Sequence, residues 1–390
     1  MLETNTTAFQ RAHLKGAMEQ AALRGAWLGI DLIALAANVR AIKNFLRAGT
    51  RLMAVVKADA YGHGAVAIAE TAIQNGASAL GVATVEEGAR LRRAGIRAPI
   101  LVLGLVPDGA YRVAVEQDLQ LTISSYRQAQ VLERVSVSVG KVSDVHVKVN
   151  TGMTRVGCEL HEAPGLARFV LDSRAIRLVG VSTHLACAEE SLAEDAEAQL
   201  ARFRELDKTL RLNPARVLRH AANSAATIYL PDSHLDMVRV GLALYGHSPR
   251  GRETAPLALT PILSLRARIA QVKEVPTGAR VGYGGTWSAT RATRLALIPV
   301  GYADGLPRAL SNAGEAIVRG VRCPLVGRIS MDQSIIDVGA LPVEPGEEVL
   351  LLGGHGTHTI PVEQWADLDR TVNYEILCGL GQRLPKVYYR

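Results

Sequence analysis

The sequence of 390 residues is 48% hydrophobic and 21% charged, so we expect a globular protein of two domains, one of which suits a barrel of about 250 residues. Its 44 basic and 37 acidic residues are scattered, and only 4% of the residues are aromatic, which argues against a nucleic-acid partner. The four cysteines lie far apart without a Cys-x-x-Cys pair. This pattern argues against a disulfide framework and a structural zinc site and favours a reducing cytoplasm.

Residues 1–25 combine charged and small side chains without a continuous apolar run, and we interpret them as an N-terminal extension rather than a signal peptide. The spacing of apolar residues from Ala8 to Leu23 suits either a modest amphipathic helix or a disordered tail. The longest apolar stretch, Ile100–Val106, contains Gly104 and is too short to span a bilayer. No membrane partner is therefore expected.

Strands and helices alternate through residues 26–250. After a strand-like segment at Trp27–Leu32, one apolar face predicts a helix over Ile33–Ala48 that ends at Gly49. Eight short apolar runs then recur, with helical segments between them. These runs are Leu52–Lys57, Ala79–Ala83, Pro99–Leu103, Leu119–Ile123, Val145–Val149, Leu178–Thr183, Val217–His220 and Met237–Val240.

The helical segments carry their own end signals. Thr84–Gly95 begins with a capping threonine and an acidic first turn, and it closes with a basic last turn and a glycine. Strands that alternate with helices pair in parallel through right-handed crossovers, and eight such units make a (β/α)8 TIM-type barrel. We therefore predict an α/β protein whose residues 26–250 form this barrel. A doubly wound open sheet is the alternative, because periodicity does not show closure.

The pattern of apolar residues changes near Pro249, from long helical segments to short strand-like runs. Residues 251–390 contain short runs of Val, Ile, Leu and Thr separated by Gly, Pro and Asp, which predicts a mostly β C-terminal domain. Gly251–Pro256 is the expected linker. His355 and His358 are spaced like metal ligands, but they lie in a glycine-rich turn without an acidic or cysteine cluster, so no metal site is predicted.

The most informative stretch is Ala54–Gly64, where a buried-strand pattern leads to Lys57 and a glycine-punctuated turn. A lysine that is partly desolvated at a strand end serves as an amine nucleophile or a proton acceptor. A lysine that has simply emerged into solvent is the alternative, since strand ends commonly carry one charged residue. The residues at the other strand ends favour the interpretation of Lys57 as a reactive lysine.

Polar residues follow the ends of several predicted strands, where barrel enzymes hold their catalytic groups. They are Lys57 with Tyr61, Lys148–Arg155, Thr183 with His184, His220–Ser224, and Arg239 with Gly241. Asn223 begins a predicted helix, and the strands seven and eight of a barrel commonly border a phosphate site. A reactive lysine opposite a phosphate site implies pyridoxal 5'-phosphate, which combines an aldehyde with a phosphate. Taken singly, Ser224 is better explained as a helix cap, Gly241 as a tight turn and His184 as a core histidine.

Several motifs between Trp27 and the C-terminus resemble the alanine racemase family of barrel-type pyridoxal-phosphate enzymes. Ala54–Gly64 is similar to the family's cofactor-lysine signature. The other similar segments are Lys148–Gly157, Met237–Gly246, Gly282–Gly284, Gly301–Gly305, Gly327–Gln333 and Thr371–Glu375. Several independent motifs in the family's order make the resemblance specific. The sequence departs from common family residues at Gly29, Asn150 and Ser330, which bears on fine specificity more than on reaction type.

The resemblance implies an isomerase that interconverts L-alanine and D-alanine in the cytoplasm and supplies D-alanine for peptidoglycan. Lys57 would hold the cofactor and act as one base, and Tyr283 of the partner subunit in a homodimer would be the second. Arg239 would face the pyridine nitrogen with His184 behind it, and Lys148 would be carbamylated. The other implied cofactor contacts are Tyr61, Asn223, Ser224, Gly241, Leu242 and Tyr374. The implied substrate contacts are Arg155, Met331 and Tyr302, with Arg308 and Val372 in the entry channel.

Three other functions stay open at this point. A broad-spectrum racemase for serine or basic amino acids has the same architecture, and only family prevalence favours alanine. A decarboxylase is expected to place a carboxylate at the ring nitrogen, so Arg239 argues against that reaction. A non-catalytic cofactor-binding protein has no need of a second domain with Tyr283 and Met331. The resemblance also implies that the strand at Trp27–Leu32 packs with the β domain.

Overall fold

The computed structural model describes residues 19–186, 193–213, 215–251, 256–381 and 383–389. Most of the predicted N-terminal extension, the middle of the predicted linker and Cys187 lie outside the described residues. The chain divides into two compact units. The barrel unit comprises Leu35–Ala60 and Ala65–Thr260, and the β unit comprises the described residues before Leu35, Tyr61–Gly64 and the chain from Pro261 onwards.

Nine strands precede Thr260, and all but the first lie in the barrel unit. Each of those eight coincides with one of the apolar runs of the sequence. The strands are β1 (Ala26–Asp31), β2 (Arg51–Val55), β3 (Ala79–Val82), β4 (Ile100–Val102), β5 (Gln120–Ile123), β6 (Ser143–Lys148), β7 (Ile176–Ser182), β8 (Leu218–His220) and β9 (Met237–Val240).

The eight strands from β2 to β9 form one parallel sheet in the order β8-β7-β6-β5-β4-β3-β2-β9. The first strand of the set pairs with the last, from Arg51 opposite Met237 to Ala54 opposite Val240. At the remaining seam, between β8 and β9, the backbone N–H of Arg239 donates to the carbonyl oxygen of Ala222 at 3.0 Å. The sheet therefore curls into a nearly closed barrel. The predicted (β/α)8 fold is confirmed, and the open doubly wound alternative is wrong.

Helices connect the strands of the barrel unit, as the alternating pattern predicted. They are α1 (Leu32–Phe45), α2 (Ala65–Gln74), α3 (Val85–Arg93), α4 (Tyr111–Glu116), α5 (Tyr126–Val139), α6 (Ala163–Asp172), α7 (Ala193–Leu210) and α8 (Ser224–Tyr229). The start of α3 has the capping box that its sequence predicted: Thr84 Oγ1 accepts the N–H of Glu87, and the Glu87 carboxylate accepts the N–H of Thr84. The strands β3, β4 and β9 are buried along their whole length, as expected for parallel strands covered on both faces.

The β unit contains β1 and the strands that follow Thr260, with two short helices. The strands are β10 (Leu263–Arg268), β11 (Gln271–Val275), β12 (Arg280–Val281), β13 (Trp287–Ser288), β14 (Thr293–Ile298), β15 (Glu315–Val318), β16 (Val321–Pro324), β17 (Ser334–Asp337), β18 (Glu348–His355), β19 (His358–Ile360) and β20 (Lys386–Tyr389). The helices are α9 (Val362–Asp369) and α10 (Asn373–Gly379). The mostly β C-terminal region is confirmed.

The largest sheet of the β unit runs β16-β15-β18-β10-β1-β20, with β19 paired to β18. In this sheet β1 is antiparallel to β10 and parallel to β20. A second sheet has the order β11-β14-β17, and β12 pairs with β13. Burial alternates along β10, which is the pattern of a strand with one face in a core. Within the described ranges, no helix combines the length and the apolarity needed to cross a membrane.

Candidate active site

Lys57 lies in a turn of unusual backbone geometry. The strand β2 ends at Val55, and the next residues, Lys57–Tyr61, form a short helical turn in which Ala58, Asp59 and Ala60 all have φ between 50° and 56°. Left-handed conformation costs a non-glycine residue about 1–2 kcal/mol. Such strain persists only where surrounding contacts hold it, and it concentrates at functional sites.

Side chains of the barrel unit hold this turn. The backbone N–H of Ala58 donates to Glu87 Oε1 at 2.7 Å, while Glu87 Oε2 accepts the N–H of Ala83 at 2.6 Å. Asp59 Oδ1 accepts the N–H of Ala65 at 2.9 Å. One glutamate therefore caps α3 and fixes the turn that carries Lys57. The sequence analysis identified the cap but missed the second role of Glu87.

The expectation of a desolvated Lys57 is wrong for the isolated chain, because the Lys57 side chain is exposed. The apolar run that suggested burial stops at Val56, which is buried, and the left-handed turn carries the next residue out of the strand. The alternative of a lysine that has emerged into solvent describes its surroundings correctly. Its charge nevertheless acts on buried groups of the barrel.

Four basic residues influence the electrostatics of His184 near the ends of the barrel strands. Burial lowers the pKa of His184 well below its usual value, and the charges of Arg239, Lys148, Arg155 and Lys57 lower it further, in that order. No carboxylate of the described residues contributes to this shift. Four predicted site residues thus act electrostatically on the neutral imidazole of a fifth, His184. This arrangement suits an anionic ligand.

Arg239 is the most buried of these cations, with 5% exposure. Its Nη2 donates to the carbonyl oxygens of Thr183 at 2.9 Å and Ala221 at 3.0 Å and to His184 Nδ1 at 3.1 Å. Its Nη1 donates to His220 Nδ1 at 2.9 Å. Burial lowers the pKa of Arg239 to about 10, so the guanidinium stays charged at neutral pH.

The sequence analysis placed His184 behind Arg239 and missed His220 as a second group there. Behind His220 lies His146, which the analysis also missed. A signal was present in both cases, because His146 is a polar residue between two apolar ones on β6 and His220 ends the seventh apolar run. A polar side chain inside a barrel strand needs a partner.

Lys148 ends β6 and precedes the loop that bears Arg155. Burial lowers the pKa of Lys148 well below its usual value, and the positive charges of Arg239 and Arg155 lower it further. A free ammonium is therefore disfavoured at this position. In the loop, Asn150 Oδ1 accepts the N–H groups of Gly152 at 3.1 Å and Thr154 at 3.0 Å. Aspartate at position 150 has the same acceptor, so this departure from common family residues leaves the loop geometry intact.

The predicted phosphate contacts of the barrel unit also lie together. Asn223 caps α8 through its side-chain oxygen, which accepts the N–H of Ala226 at 2.9 Å, so Ser224 is not the cap. The buried Ser224 Oγ instead accepts the N–H groups of Gly241 at 3.0 Å and Ala243 at 3.3 Å. The hydroxyl of Ser224 therefore joins the start of α8 to the segment that follows β9. The next residue, Leu242, is buried.

The remaining predicted residues belong to the β unit. Tyr61 and Tyr374 lie close together, with 6.0 Å between their ring centroids. The turn of Tyr302 is joined to the segment of Met331, because the N–H of Tyr302 donates to the Ser330 carbonyl oxygen and that of Ala303 to the Met331 carbonyl oxygen, each at 3.0 Å. Both pairs of predicted neighbours are thus brought together within this unit.

An ion pair between Arg24 and Asp304 stabilises the turn that carries Tyr302. Asp304 is fully buried and accepts two hydrogen bonds from Arg24 Nη2, at 2.8 and 2.9 Å, and one from the N–H of Gly301 at 3.0 Å. Arg383 Nε lies 3.4 Å from the same carboxylate. Arg24, which the sequence analysis assigned to the N-terminal extension, is therefore a structural residue of the β unit.

Tyr283 lies in a tight turn between β12 and β13, and its side chain is 72% exposed. Three other residues with predicted roles are exposed on the same unit: Tyr302 at 43%, Met331 at 53% and Val372 at 58%. Among the residues described, no group of three or more His, Cys, Asp and Glu side chains could hold a metal ion.

The donor set of the barrel unit fits pyridoxal 5'-phosphate. The cofactor bears an anionic phosphate and an aldehyde. The unit offers the positive charges of Arg239, Arg155 and Lys57, the last an amine on a fixed turn, and the hydroxyl of Ser224 beside Gly241. Fold and site together define a (β/α)8-barrel protein with a positively charged candidate site at its strand ends.

Comparison with known proteins makes this assignment specific. The model of the alanine racemase N-terminal domain matches residues 30–249, and that of the C-terminal domain matches residues 262–388. The chain belongs to the alanine racemase family, whose members are isomerases. The family resemblance noted in the sequence is thereby confirmed.

Individual relatives cover nearly the whole chain. A curated relative named alanine racemase, from Desulfosudis oleivorans, is 44% identical over 375 residues, which are 93% of this chain and 96% of the relative. The crystal structure of alanine racemase from Streptomyces lavendulae is 38% identical, with a TM-score of 0.88 over 94% of this chain and 97% of that one. A solved histidine racemase from Leuconostoc mesenteroides is 28% identical, with a TM-score of 0.87 over 94% of this chain and 98% of that one.

Proposed function

We propose that the protein interconverts L-alanine and D-alanine with pyridoxal 5'-phosphate bound at the strand ends of the barrel. The observation that carries this proposal is the convergence of Lys57, Lys148, Arg155 and Arg239 on a neutral His184 in a chain of the alanine racemase family. The cellular role that follows is supply of D-alanine for peptidoglycan in the cytoplasm. Alanine is the substrate in the names of the curated relatives.

The barrel supplies most of the cofactor contacts. Lys57 would hold the cofactor through its amine, and Ser224, Gly241 and Leu242, next to Asn223, would hold the phosphate. Tyr61 and Tyr374 are further candidate contacts of the phosphate. When bound, the cofactor withdraws electrons from the substrate α-carbon and so makes its proton acidic.

Arg239 faces the ring nitrogen of the cofactor. The hydrogen bonds to described residues use Nη2 and one N–H of Nη1, which leaves the Nε–H and the second N–H of Nη1 for a ring. An arginine does not give up its proton at working pH, so Arg239 would keep a ring nitrogen beside it unprotonated, and such a ring would withdraw electrons less strongly. Weaker withdrawal disfavours transamination and decarboxylation relative to simple proton exchange.

Racemisation requires that a proton leave one face of the α-carbon and that another be delivered to the opposite face. Lys57 and Tyr283 of the partner subunit perform these two transfers in a homodimer with shared sites. The high exposure of Tyr283 and of Tyr302, Met331 and Val372 supports this arrangement, because a second copy of the chain would cover them.

The substrate carboxylate is bound by Arg155 and the backbone of Met331, and Tyr302, Arg308 and Val372 line the approach to the site. In carbamylation the uncharged amine of Lys148 adds carbon dioxide and loses a proton, which leaves a carbamate anion able to pair with Arg155. The lowered pKa of Lys148, which burial, Arg239 and Arg155 cause, supports this modification, since carbamylation requires the uncharged amine.

A racemase of broader specificity is the second candidate. A histidine racemase shares the whole fold at a TM-score of 0.87, so the architecture accommodates a side chain much larger than that of alanine. Decarboxylation and simple cofactor storage are less well supported. Arg239 opposes the former, and the exposed Tyr283 has no role in the latter.

The test is incubation of L-alanine, L-serine, L-lysine and L-histidine, each separately, with the protein and pyridoxal 5'-phosphate, followed by chiral chromatography. We expect D-alanine to form fastest and Lys57→Ala to form none. Faster racemisation of serine, lysine or histidine would favour the second candidate. Absence of D-isomers from all four would contradict the proposal.

A further inference from the structure

A chain of hydrogen bonds crosses the barrel interior from Arg239 to the opposite ends of the strands. Arg239 Nη1 contacts His220 Nδ1 at 2.9 Å, and His220 Nε2 contacts His146 Nδ1 at 2.8 Å. His146 Nε2 contacts Gln120 Oε1 at 3.2 Å, and Gln120 Nε2 contacts Asp144 Oδ2 at 3.4 Å. Gln120 and Asp144 are at the beginnings of β5 and β6, whereas His220 ends β8.

The direction of every bond in this chain is fixed by its two ends. An arginine only donates, so His220 Nδ1 accepts and its proton is on Nε2. His146 therefore accepts on Nδ1 and donates from Nε2 to the amide oxygen of Gln120. The amide nitrogen then donates to Asp144, whose other oxygen is held by Arg177 at 2.7 Å. Both imidazoles are neutral and have one tautomer.

The fold makes specific room for this chain. Gly180 on β7 lies opposite His146, and a Cβ atom there would lie 2.0 Å from His146 Nδ1. The pairing of β6 with β7 also shifts register between Val145 and His146, and such a bulge redirects a side chain. The glycine and the bulge together allow the imidazole of His146 to meet that of His220.

Stability does not account for these groups. His146 and His220 are each 1% exposed and Arg239 is 5% exposed, in a barrel interior that is ordinarily filled by branched aliphatic side chains. Buried polar and charged groups add little net stability, and well-packed apolar replacements are often neutral or stabilising. A role at the site is therefore the better explanation for the chain.

We propose that His220 and His146 are positioning residues that hold the Arg239 guanidinium in a single orientation towards the cofactor ring. The inference rests on the proposed function, because it assumes that Arg239 meets the ring nitrogen. The chain offers Arg239 a neutral acceptor, which steadies the guanidinium without an anion that would compete for its N–H groups. His184 and the two carbonyl oxygens fix the other nitrogen in the same way.

A matched pair of variants separates this role from packing. His146→Asn retains an acceptor at the place of Nδ1, because its side-chain oxygen occupies a similar position, whereas His146→Leu fills the space without an acceptor. Gly180→Ala leaves every histidine in place but pushes the His146 ring away from His220. The three variants thus remove the acceptor, preserve it or displace it.

The first readout is proton and nitrogen NMR of histidine-labelled protein without cofactor. In the wild type we expect a slowly exchanging proton on His220 Nε2, with Nδ1 unprotonated. His146→Leu and Gly180→Ala should lose the slow proton, and His146→Asn should keep it. Rapid exchange of this proton in the wild type, or its persistence in His146→Leu, would overturn the proposal.

The second readout is the equilibrium affinity of the apoprotein for pyridoxal 5'-phosphate, followed by fluorescence quenching. We expect binding to weaken roughly tenfold in His146→Leu and Gly180→Ala, as for loss of one hydrogen bond to a charged group, and to recover in His146→Asn. Equal affinities in all three variants and the wild type would contradict a positioning role. If the wild type binds no cofactor, the proposed function fails, while the NMR result still decides whether the chain exists.

Discussion

Lys57 and Arg239 are held in opposite ways within one barrel. Arg239 is almost completely buried, and its guanidinium is tied to four acceptors. Lys57 is exposed, and what is fixed is its backbone, through the left-handed turn that Glu87 and Asp59 stabilise. A group that orients a ring must not move, whereas an amine that bonds to a cofactor and transfers protons needs a free side chain on a fixed base. The comparison shows how one scaffold meets both needs.

Removal of either proposed base, the mobile amine of Lys57 or the hydroxyl of Tyr283, should have the largest effect on activity. We expect Lys57→Ala and Tyr283→Ala to reduce racemisation to background as homodimers, since each lacks one of the two bases. In an equal mixture of the two variants, about a quarter of the sites should carry both native residues if subunits exchange freely. Racemisation of alanine in the mixture measures the recovery.

Each homodimer alone is the control for that mixture. If subunit exchange is demonstrated by mass spectrometry and the mixture stays inactive, the sharing of sites between subunits is wrong. Tyr283 would then act within its own chain or have no catalytic role.

Substitution of Glu87 tests whether the turn positions Lys57. Glu87→Gln replaces one of the two acceptor oxygens by an NH2 group, so the side chain can no longer accept the N–H groups of Ala58 and Ala83 through separate oxygens, and the left-handed turn should relax. A displacement of about 1 Å at a reacting group costs on the order of a hundredfold in rate, and we expect a fall of that size in kcat for alanine. Glu86→Gln, on the exposed face of the same helical turn, is the matched control and should be close to wild type. Equal activity of both variants would mean that Glu87 only caps α3.

Much of the fold was predictable from the sequence. All eight barrel strands follow from apolar runs, and the start of α3 follows from Thr84 and Glu87, because these signals are local. The left-handed turn was not predictable, since Ala58 and Ala60 favour a right-handed helix and only contacts distant in sequence, such as that of Glu87, enforce the other hand. The exposure of Lys57 follows from that turn and was missed with it.

The candidate site was predictable mainly through resemblance to a family. Spacing alone brought Lys57, Arg155, His184 and Arg239 to strand ends, and the structure brings them together. The two histidines behind Arg239 required the pairing of β6 with β7 and the missing side chain of Gly180, which no local pattern encodes. A polar residue in a buried strand remains a useful signal of such networks.

Lys148 is a further basic residue of the candidate site, and its ammonium form is disfavoured. If it is carbamylated, protein prepared with 13C-labelled bicarbonate should show a carbamate carbon signal that is absent in Lys148→Ala. We expect the variant to lose roughly tenfold in kcat/KM through poorer orientation of Arg155, as for one hydrogen bond to a charged group. An ordinary ammonium in electron density able to show the carbamate would rule out the modification.

The dependence of stability on pH tests whether His146, which lies behind the fixed Arg239, is neutral in the folded protein. Burial and then the charge of Arg239 lower the pKa of His146 to about 3, whereas an unfolded histidine has a pKa near 6.5. The unfolded chain therefore binds a proton that the folded chain does not, so the stabilisation is complete above pH 6.5 and is lost as the pH falls towards 3. Between pH 6 and pH 4 the free energy of unfolding of the wild type should fall by about 2 kcal/mol more than that of His146→Leu. Parallel curves from urea denaturation would contradict the neutral state of His146.

The most direct test of the account is the site at which the cofactor is attached. Protein saturated with pyridoxal 5'-phosphate should be yellow, and borohydride should abolish the visible band by fixing the cofactor to its lysine. After digestion, mass spectrometry should find the reduced cofactor on Lys57, the exposed lysine of the strained turn. Its recovery on Lys148, the other lysine of the candidate site, or on any other lysine, would contradict the account.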